Sequence, residues 1–488
     1  MLNLFASESA RSDATGKLLQ LFAQLLALDD LPQCKTPSKQ APAKRTKAKQ
    51  TTAKPPKRKR GFYWRAWSLQ LTLWYLIWQR LSPLHTLVAV VADARRGGAD
   101  ALCGARTPLS KKLRSSATAG FTKARQRLPL PWLIQSFEHQ AQALTDLATA
   151  PQPDALPVRL LDGSTQRMRP HGDIPKHFPP HRTRRKQAYW CLARTVVCFC
   201  ATTGLALLGQ IGSLHLSEQA LAVRMLLAAA VRALYVGDRN FGVWRVAAAC
   251  AQSGGHALVR LTRTRAGRLA GGQRLKPGLD WAVNWAPTRH DQVDRGLQPT
   301  AVAGRLVVVR TTRPGWRTEV LYLFTTLTDA TAYPPAWLLA QYGRRWQVEL
   351  NLRWVKVTLG LGQLEVKSAD LARKEFYAGL MAYNLVRGLM GVAARTAGVS
   401  VQGLSFATAR AILCGALGLL WLSWVPAARR WEELQRVCAE VGRARLPRRR
   451  KRRPAEPRAQ YHMPQVFPPL RGTRAQARRN LKKHVAKC

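Results

Sequence analysis

The sequence predicts an α/β protein in which a mixed-sheet core is interrupted by a β-rich insertion and flanked by helical regions. Over residues 155–242, short apolar runs that end in turn residues alternate with a helical pattern. Over residues 256–324, apolar residues alternate with basic or polar ones, which is typical of half-exposed strands. The chain before residue 150 and after residue 390 has helical patterns instead.

The composition indicates a folded protein with a polyanionic partner. The chain has 488 residues, of which 47% are hydrophobic, enough for a large core and more than one domain. It carries 78 Lys and Arg against 26 Asp and Glu, a formal net charge of +52. Such an excess disfavours the compact state through self-repulsion unless a polyanion is bound. Nucleic acid is the first candidate partner, and an anionic membrane surface is the alternative.

The expected location is the cytoplasm. The cysteines include no Cys-x-x-Cys pair, which predicts reduced thiols rather than disulfides or a zinc site. Polar and acidic residues are spread throughout the N-terminal stretch "MLNLFASESARSDATGK", so no secretory signal is expected. The longest apolar stretch, residues 406–424, contains Arg410 and predicts a buried helix better than a membrane span.

The N-terminal region is expected to consist of a short helical segment (1–34), a basic linker (35–60) and a helical DNA-binding region (61–150). The linker is rich in Lys and Arg, has no acid and cannot build a core. Within the third segment, residues 116–137 place several bases along one helical turn. A helix that contacts DNA and an ordinary solvated face both explain this turn.

The rest of the chain is expected to divide into five segments. They are a first core segment (151–255), the β-rich insertion (256–324), a second core segment (325–390), a C-terminal helical region (391–447) and a basic tail (448–488). In the first core segment, "LPVRLLDGST" predicts a short strand that ends at Asp162, and "LYVGDRNFG" predicts another that ends at Asp238. Between them, "RTVVCFCATTGLALLGQIG" predicts two strands joined by a turn, and Ser217 predicts the start of a helix.

A further stretch, "YGRRWQVELNLRWVK", predicts a helix with an unusual face. Tyr342, Arg345, Glu349 and Lys356 stand at offsets 0, 3, 7 and 14, so they fall within roughly 60° of arc on an ideal helix. The core-facing stripe of a globular helix normally carries apolar residues at such offsets. Two cations, a phenol and a carboxylate on one narrow face indicate a shared chemical task.

Each acid taken alone has an ordinary structural explanation. Asp162 precedes a glycine and fits a turn, Asp238 can cap a turn, and Glu349 can pair with Arg345 or Arg353 along a helix. Taken together, two strand-end aspartates and a helical glutamate can converge on one edge of a mixed sheet. Three carboxylates there would form an oxygen cage for Mg²⁺.

Such a cage suits phosphoryl transfer. Two Mg²⁺ ions about 4 Å apart would activate an attacking hydroxyl and stabilise the leaving oxygen. Arg345 and Lys356 would then contact phosphates on either side of the scissile one, and Tyr342 would hydrogen-bond or pack against a sugar.

The spacing Tyr342-x2-Arg345-x3-Glu349-x6-Lys356 resembles the Y-R-E-K motif of the DDE transposases in the "IS four" family of insertion sequences. "LLDGST" is similar to the first-aspartate motif of that family, and "VGDRNFG" is similar to the second. The resemblance extends from about residue 110 to the C-terminal tail, with Ser164 where many members have threonine. It implies an RNase H-like core interrupted by a β-rich insertion before the glutamate.

The resemblance also implies an activity, cofactors and partners. Asp162, Asp238 and Glu349 would bind two Mg²⁺ ions, for which Mn²⁺ can substitute, and would cleave DNA strands and transfer them to a target. The partners would be the terminal inverted repeats of a bacterial element, target DNA and a second copy of the chain, without a membrane. The protein would associate with the nucleoid when bound to DNA. The residues expected to contact DNA are Tyr342, Arg345, Lys356, Arg239 and Trp316.

The resemblance implies one further role, for an aromatic side chain of the insertion. Relatives that form a DNA hairpin lodge an unstacked base against such a side chain. Trp281, Trp285 and Trp316 are the candidates here, and Trp316 is preferred because it lies beside a Gly-Pro turn between two strands. Ordinary packing of the strands explains all three tryptophans as well.

Two other functions remain open from the sequence alone. One is an RNase H-like nuclease that cuts DNA without transferring strands. The other is a decayed, non-catalytic DNA-binding protein, which the charge of +52 would suit equally well.

Overall fold

The computed structural model describes residues 14–29, 31–32, 66–104, 106–148, 155–182, 187–289, 291, 296–311, 319–447, 473, 475–476 and 478–480. The predicted basic linker, Trp316 and nearly all of the predicted basic tail lie outside the described residues. The chain divides into two units, and every element below belongs mainly to the first, Met1–Arg310 with Val320–Arg448. The second unit comprises Thr311–Glu319 and Arg449–Cys488, whose described residues include a short helical stretch within 475–480.

The strands of the first core segment begin a mixed sheet, which has ten strands in the described part of the chain. Strand β1 (Val158–Met168) pairs antiparallel with β3 (Gln187–Cys200), and β3 pairs antiparallel with β4 (Ala206–Ser213). On the other side of β1 lie β5 (Leu234–Gly237) and β6 (His256–Arg260), both parallel to it. Three antiparallel strands followed by two parallel ones form an RNase H-like core, which confirms the predicted fold class.

The strands that follow extend the same sheet. Strand β9 (Glu319–Thr325) pairs antiparallel with β6, and β8 (Val302–Thr311) and β7 (Asp280–Trp285) continue outward from it. The segment "HALVRLTRT", predicted as a half-exposed strand of the insertion, forms β6 in the core sheet instead. Its central residues 257–259 are all buried, which is typical of a parallel strand covered on both faces. The basic residues on either side suggested that apolar and polar residues alternate, but residues 257–259 are an unbroken apolar run.

Short strands complete the sheet at one end. Strand β2 (Pro180–Arg182) pairs with the start of β3, and β10 (Gln363–Leu364) pairs parallel with the end of β1. The turn between β3 and β4, predicted from the Thr-Gly pair, is present and contains Gly204 with φ of 73°. That left-handed conformation favours glycine over residues with a Cβ.

Helices cover both faces of the sheet. On one face lie α8 (Glu218–Ala229), α9 (Trp244–Gln252) and α10 (Arg263–Leu269), which pack around a core that includes Tyr235, Phe241 and Trp244. Ser217 accepts a hydrogen bond from the Ala220 N–H at 3.1 Å, which confirms the predicted start of α8. The helices outside this layer are α1 (Ala14–Ala27), α2 (Leu69–Leu81), α3 (Leu87–Arg95), α4 (Leu109–Lys112), α5 (Ala119–Arg127), α6 (Leu130–Ala148), α7 (Ile174–His177), α11 (Pro335–Gly343), α12 (Trp346–Arg353), α13 (Ala369–Thr396), α14 (Phe406–Trp421) and α15 (Ala427–Arg443).

The apolar stretch at 406–424 forms α14 and the turn after it. One face of α14 is buried, through Leu413, Leu417 and Leu420, and it packs against α15 and α13. Within the described residues, no helix combines the length and the hydropathy that crossing a bilayer requires.

Helix α13 is the central element of the second layer, and it holds the N-terminal helices through buried charges. The Glu375 carboxylate accepts a hydrogen bond from Arg125 of α5 at 2.6 Å and also pairs with Arg80 of α2. All three side chains are at most 5% exposed. The neighbouring Lys374 ammonium donates to the backbone carbonyl of Gln126 at 2.9 Å. Burial lowers the pKa of Arg125, and the Glu375 carboxylate opposes that shift.

The same helix also holds the β3–β4 hairpin. The side chain of Asn384 makes two hydrogen bonds of 2.8 Å with the backbone N–H and carbonyl of Ala206. The Tyr383 hydroxyl donates to the Gly204 carbonyl at 2.7 Å. Helix α13 therefore fixes the N-terminal helices and the strands next to β1 to one another.

We predict that Glu375→Ala lowers the free energy of unfolding by about 3–5 kcal/mol, because it leaves two buried guanidinium groups without a counter-charge. Urea denaturation of the purified protein measures the loss. Glu432→Ala is the matched control, since Glu432 pairs with Arg429 on the surface of α15 and such a pair contributes about 0–1 kcal/mol. Equal stability of the Glu375 variant and the control would contradict a stabilising role of the buried cluster.

Candidate active site

Asp162 lies inside β1, whereas the sequence predicted it at the end of a strand. The parallel pairing of β1 with β5 stops at Leu160 and Val236, but the antiparallel pairing with β3 continues from Asp162 to Met168. Strand β1 continues past Asp162 because β3 pairs with it as far as Met168, whereas its pairing with β5 on the other side ends at Leu160. The carboxylate stands where the sheet loses its parallel neighbour.

Asp238 immediately follows Gly237, the last residue of β5, as predicted. Its Oδ1 atom accepts hydrogen bonds from the backbone N–H groups of Asn240 at 2.8 Å and Phe241 at 3.4 Å. The carboxylate thus stabilises the turn after the strand, as aspartate commonly does. Both of these backbone hydrogen bonds go to Oδ1, and neither goes to Oδ2.

The two aspartates interact electrostatically. The pKa of Asp162 is raised to about 6, mainly by burial and with a contribution from the negative charges of Asp238 and Glu218. The Gly163 N–H, which donates to Asp162 at 2.8 Å, and the Arg345 guanidinium act in the opposite direction. A cation between Asp162 and Asp238 would relieve this repulsion.

The predicted continuous helix from Tyr342 to Lys356 is interrupted. Helix α11 ends at Gly343 and α12 begins at Trp346. Between them, the N–H groups of Arg344 and Arg345 bond to carbonyls three residues back, at 3.1 and 3.0 Å. After α12, residues 354–358 form a single π-helical turn. The arc calculated for an ideal α-helix therefore does not apply, since both irregularities change the rotation per residue.

The four residues of the predicted face lie in different environments. Tyr342 is 8% exposed, and its hydroxyl shares a hydrogen bond with Arg260 at the end of β6. Burial raises the pKa of Tyr342, while Arg345 and Arg260 lower it. Arg345 donates to the Glu349 carboxylate at 2.8 Å, and Lys356 is half-buried in the π-helical turn.

Arg345 is the side chain that links the predicted site residues. Besides the ion pair with Glu349, it interacts electrostatically with Tyr342, Asp238 and Asp162. The Glu349 side chain is 41% exposed in this pair. Among the residues that the structure describes, no three His, Cys, Asp or Glu side chains are gathered closely enough to hold a metal ion. The structure thus brings together Asp162, Asp238 and Arg345, with Glu349 held by the arginine.

Two polar residues at this site, Glu218 and Asn240, were not predicted from the sequence. The Glu218 Oε2 atom accepts a hydrogen bond from the Asn240 side chain at 2.6 Å. The Glu218 carboxyl group also lies over Gly163, where an added Cβ would come within 2.2 Å of it. The position of Asn240 inside "VGDRNFG" was a signal for its involvement. Glu218 gave no signal, because a glutamate in the first turn of a helix is favoured by the helix dipole alone.

The remaining candidates differ in exposure. Arg239 is exposed in the turn after β5. On β7, Trp281 is 44% exposed, while Trp285 is 5% exposed and packs edge-to-face against Phe324 with ring centroids 4.7 Å apart. Packing explains Trp285.

The segment that carries the acids also matches known proteins. Residues 153–385 match the family model described as the transposase DDE domain. The chain is 24% identical over 412 residues to the transposase InsG for insertion sequence element IS4 of Escherichia coli (strain K12), which covers 83% of this chain and 87% of the relative. A cryo-EM structure of a piggyBac transposase synaptic complex with hairpin DNA matches at a TM-score of 0.38 and 10% identity, covering 91% of this chain and 88% of that one.

The fold and these matches define a DNA transposase of the DDE class, an enzyme that binds DNA and depends on a divalent metal ion to cleave it. Within that class, the 24% identity to the IS4 transposase and the Y-R-E-K spacing support an insertion-sequence transposase of the IS4 (IS four) type, as predicted.

Proposed function

We propose that this transposase binds the terminal inverted repeats of its own bacterial insertion sequence and moves the element to target DNA. It works as a homodimer in the cytoplasm and associates with the nucleoid when bound to DNA. The formal charge of +52 supports DNA, a large polyanion, as the partner.

In this proposal Asp162, Asp238 and Glu349 hold two Mg²⁺ ions, for which Mn²⁺ can substitute. The observation that carries it is the strand register: Leu160 of β1 pairs with Val236 of β5, and Asp162 and Asp238 each lie two residues beyond that last parallel pair. Carboxylate oxygens are the ligands that Mg²⁺ prefers, so the donor set fits the ion. When bound, the ions activate the attacking hydroxyl and stabilise the leaving oxygen.

Arg345 controls the third acid in this proposal. In the DNA-free protein its guanidinium pairs with Glu349 at 2.8 Å. A DNA phosphate is a strong competitor for a guanidinium because it accepts two parallel charge-assisted hydrogen bonds. Binding of the element end therefore draws Arg345 to the phosphate and frees Glu349 to turn towards the aspartates. The site is completed only when substrate is present.

The chemistry then proceeds in two steps. Water attacks a phosphodiester at the element end and breaks its P–O3′ bond, which leaves a 5′-phosphate on one side of the cut and a 3′-hydroxyl on the other. That hydroxyl later attacks a phosphodiester of the target DNA and displaces the target 3′-oxygen, without a covalent protein–DNA intermediate. Arg345 and Lys356 contact phosphates on either side of the reacting one, and such contacts carry no sequence information. Arg239 is exposed next to Asp238 and suits the same task.

The N-terminal helices supply further phosphate contacts. Lys111, Arg114 and Lys123 are exposed on or beside α4 and α5. Arg125 of the same basic turn is buried against Glu375 and does not face DNA. The basic residues of the segment 116–137 therefore differ in role. Arg125 is structural, whereas Lys123 faces solvent and can contact DNA.

We predict that Asp162→Ala, Asp238→Ala and Glu349→Ala each abolish cleavage of element-end DNA. Binding to that DNA should stay largely intact, because phosphate contacts carry most of the affinity. Denaturing gels measure cleavage, and mobility shifts measure binding. Asp146→Ala, an exposed acid on α6, is the control and should cleave like the parent. Near-normal cleavage by any of the three variants would remove that residue from the site.

A strand-transfer assay separates the transposase from a nuclease on the same core. With pre-cut element ends and a plasmid target, the parent should join the ends to the plasmid, and the three variants should not. Cleavage without any joining by the parent would favour the nuclease.

We predict that Arg345→Gln and Lys356→Gln each reduce the salt dependence of end binding. The slope of log affinity against log salt should become shallower by about one unit per lost phosphate contact. Arg429→Gln is the matched control, since Arg429 pairs with Glu432 on the surface of α15. Slopes equal to that of the parent would mean that Arg345 and Lys356 do not bind phosphates.

A further inference from the structure

The first turn of α8 holds the turn that carries Asp238. The Asn240 backbone N–H donates to Asp238 at 2.8 Å, and the Asn240 side chain donates to Glu218 at 2.6 Å. Gln219 donates to the backbone carbonyl of Asn240 at 2.9 Å and to its side-chain oxygen at 2.8 Å. Arg245 in turn donates to Gln219 at 3.0 Å. Asn240 is thus held from both its main chain and its side chain by two consecutive residues of α8.

Glu218 also reaches the first aspartate strand. Its carboxyl group packs against the backbone of Gly163, the residue after Asp162. A Cβ added to Gly163 would come within 2.2 Å of the Glu218 carboxyl carbon. A residue with a Cβ at position 163 would displace the carboxyl group from this place. One side chain therefore contacts the backbone beside Asp162 and the asparagine that holds Asp238.

Helix capping does not require this arrangement. A glutamate in the first turn gains from the helix dipole without touching any other element, and Ser217 already caps α8. Placing a third carboxylate beside two that already repel each other costs free energy. A local electrostatic cost of this kind is expected at functional sites.

We propose that Glu218 is a positioning residue of the active site, which acts through its hydrogen bond to Asn240 and its packing against Gly163. It fixes the Asp238 turn relative to the Asp162 strand, so that the two aspartates are held at a constant separation. This inference rests on the proposed roles of Asp162 and Asp238. Glu218 itself does not touch the substrate.

The test compares Glu218→Ala, Glu218→Gln and Asn240→Ala in the full-length chain. Glutamine keeps an oxygen that accepts from Asn240, whereas alanine does not. Glu218→Ala and Asn240→Ala should each slow single-turnover cleavage about 10–100-fold, as residues that orient metal ligands do, while Glu218→Gln should stay within about threefold of the parent. The double alanine variant should be no slower than the slower single variant, because both changes remove the same hydrogen bond.

A second readout does not depend on turnover. Binding of Mn²⁺ to the DNA-free protein, measured by electron paramagnetic resonance of the free ion, should weaken about 10-fold or more in both alanine variants and remain near the parent in Glu218→Gln. Glu365→Ala is the matched control, since it removes a glutamate–amide hydrogen bond of 2.8 Å on the surface. If Glu218→Ala does not fold, Asn240→Ala carries the test alone.

Two results would overturn the inference. One is that both alanine variants bind Mn²⁺ and cleave like the parent. The other is that Glu218→Gln is as defective as Glu218→Ala, which would assign the effect to charge and not to the hydrogen bond. Failure of the proposed function is distinguishable, because then Asp162→Ala and Asp238→Ala would themselves retain cleavage.

Discussion

The carboxylate of Glu375, shared by Arg80 and Arg125 inside the protein, is the interaction on which the rest of the structure depends. It lies on α13, whose other polar side chains hold the β3–β4 hairpin. Strand β3 in turn pairs with β1 from Asp162 to Met168, the end of β1. A buried cluster of this kind is costly to break, because removal of one partner leaves the others buried without a counter-charge. The helices expected to bind DNA are thereby set in a fixed relation to β1, the strand that carries Asp162.

The candidate active site lies at the edge of the sheet where β5 ends beside β1. Asp162 stands where β5 ends, Asp238 stands on the turn after β5, and the two carboxylates repel each other. Arg345 lies between Asp238 and Glu349 and holds the glutamate in an exposed ion pair. The irregular backbone at Arg344 and Arg345, with hydrogen bonds to carbonyls three residues back, places that arginine at the start of α12. In the proposed function, a third acid withheld by an arginine suits an enzyme that cuts only bound DNA.

Local patterns in the sequence predicted what local interactions decide. The turn after β5 with Asp238, the Ser217 cap and the β3–β4 hairpin depend on neighbours in the chain, and all three were found. The position of Asp162 inside β1 depends on a distant partner, β3, and was missed. Arg125 was grouped with solvent-facing bases because its partner Glu375 is 250 residues away in the chain. Glu218 was missed because helix capping explains a glutamate there equally well.

Binding of Mn²⁺ to the parent and to Glu349→Ala, each with and without element-end DNA, tests the central claim most directly. Electron paramagnetic resonance counts the ions bound beyond those that the DNA binds alone. Because Arg345 holds Glu349 in the DNA-free protein, the variant should bind Mn²⁺ like the parent without DNA. With end DNA, the parent should bind two ions per chain, and the variant should bind fewer or bind them more weakly. An equal loss of Mn²⁺ binding in the variant with and without DNA would contradict the account.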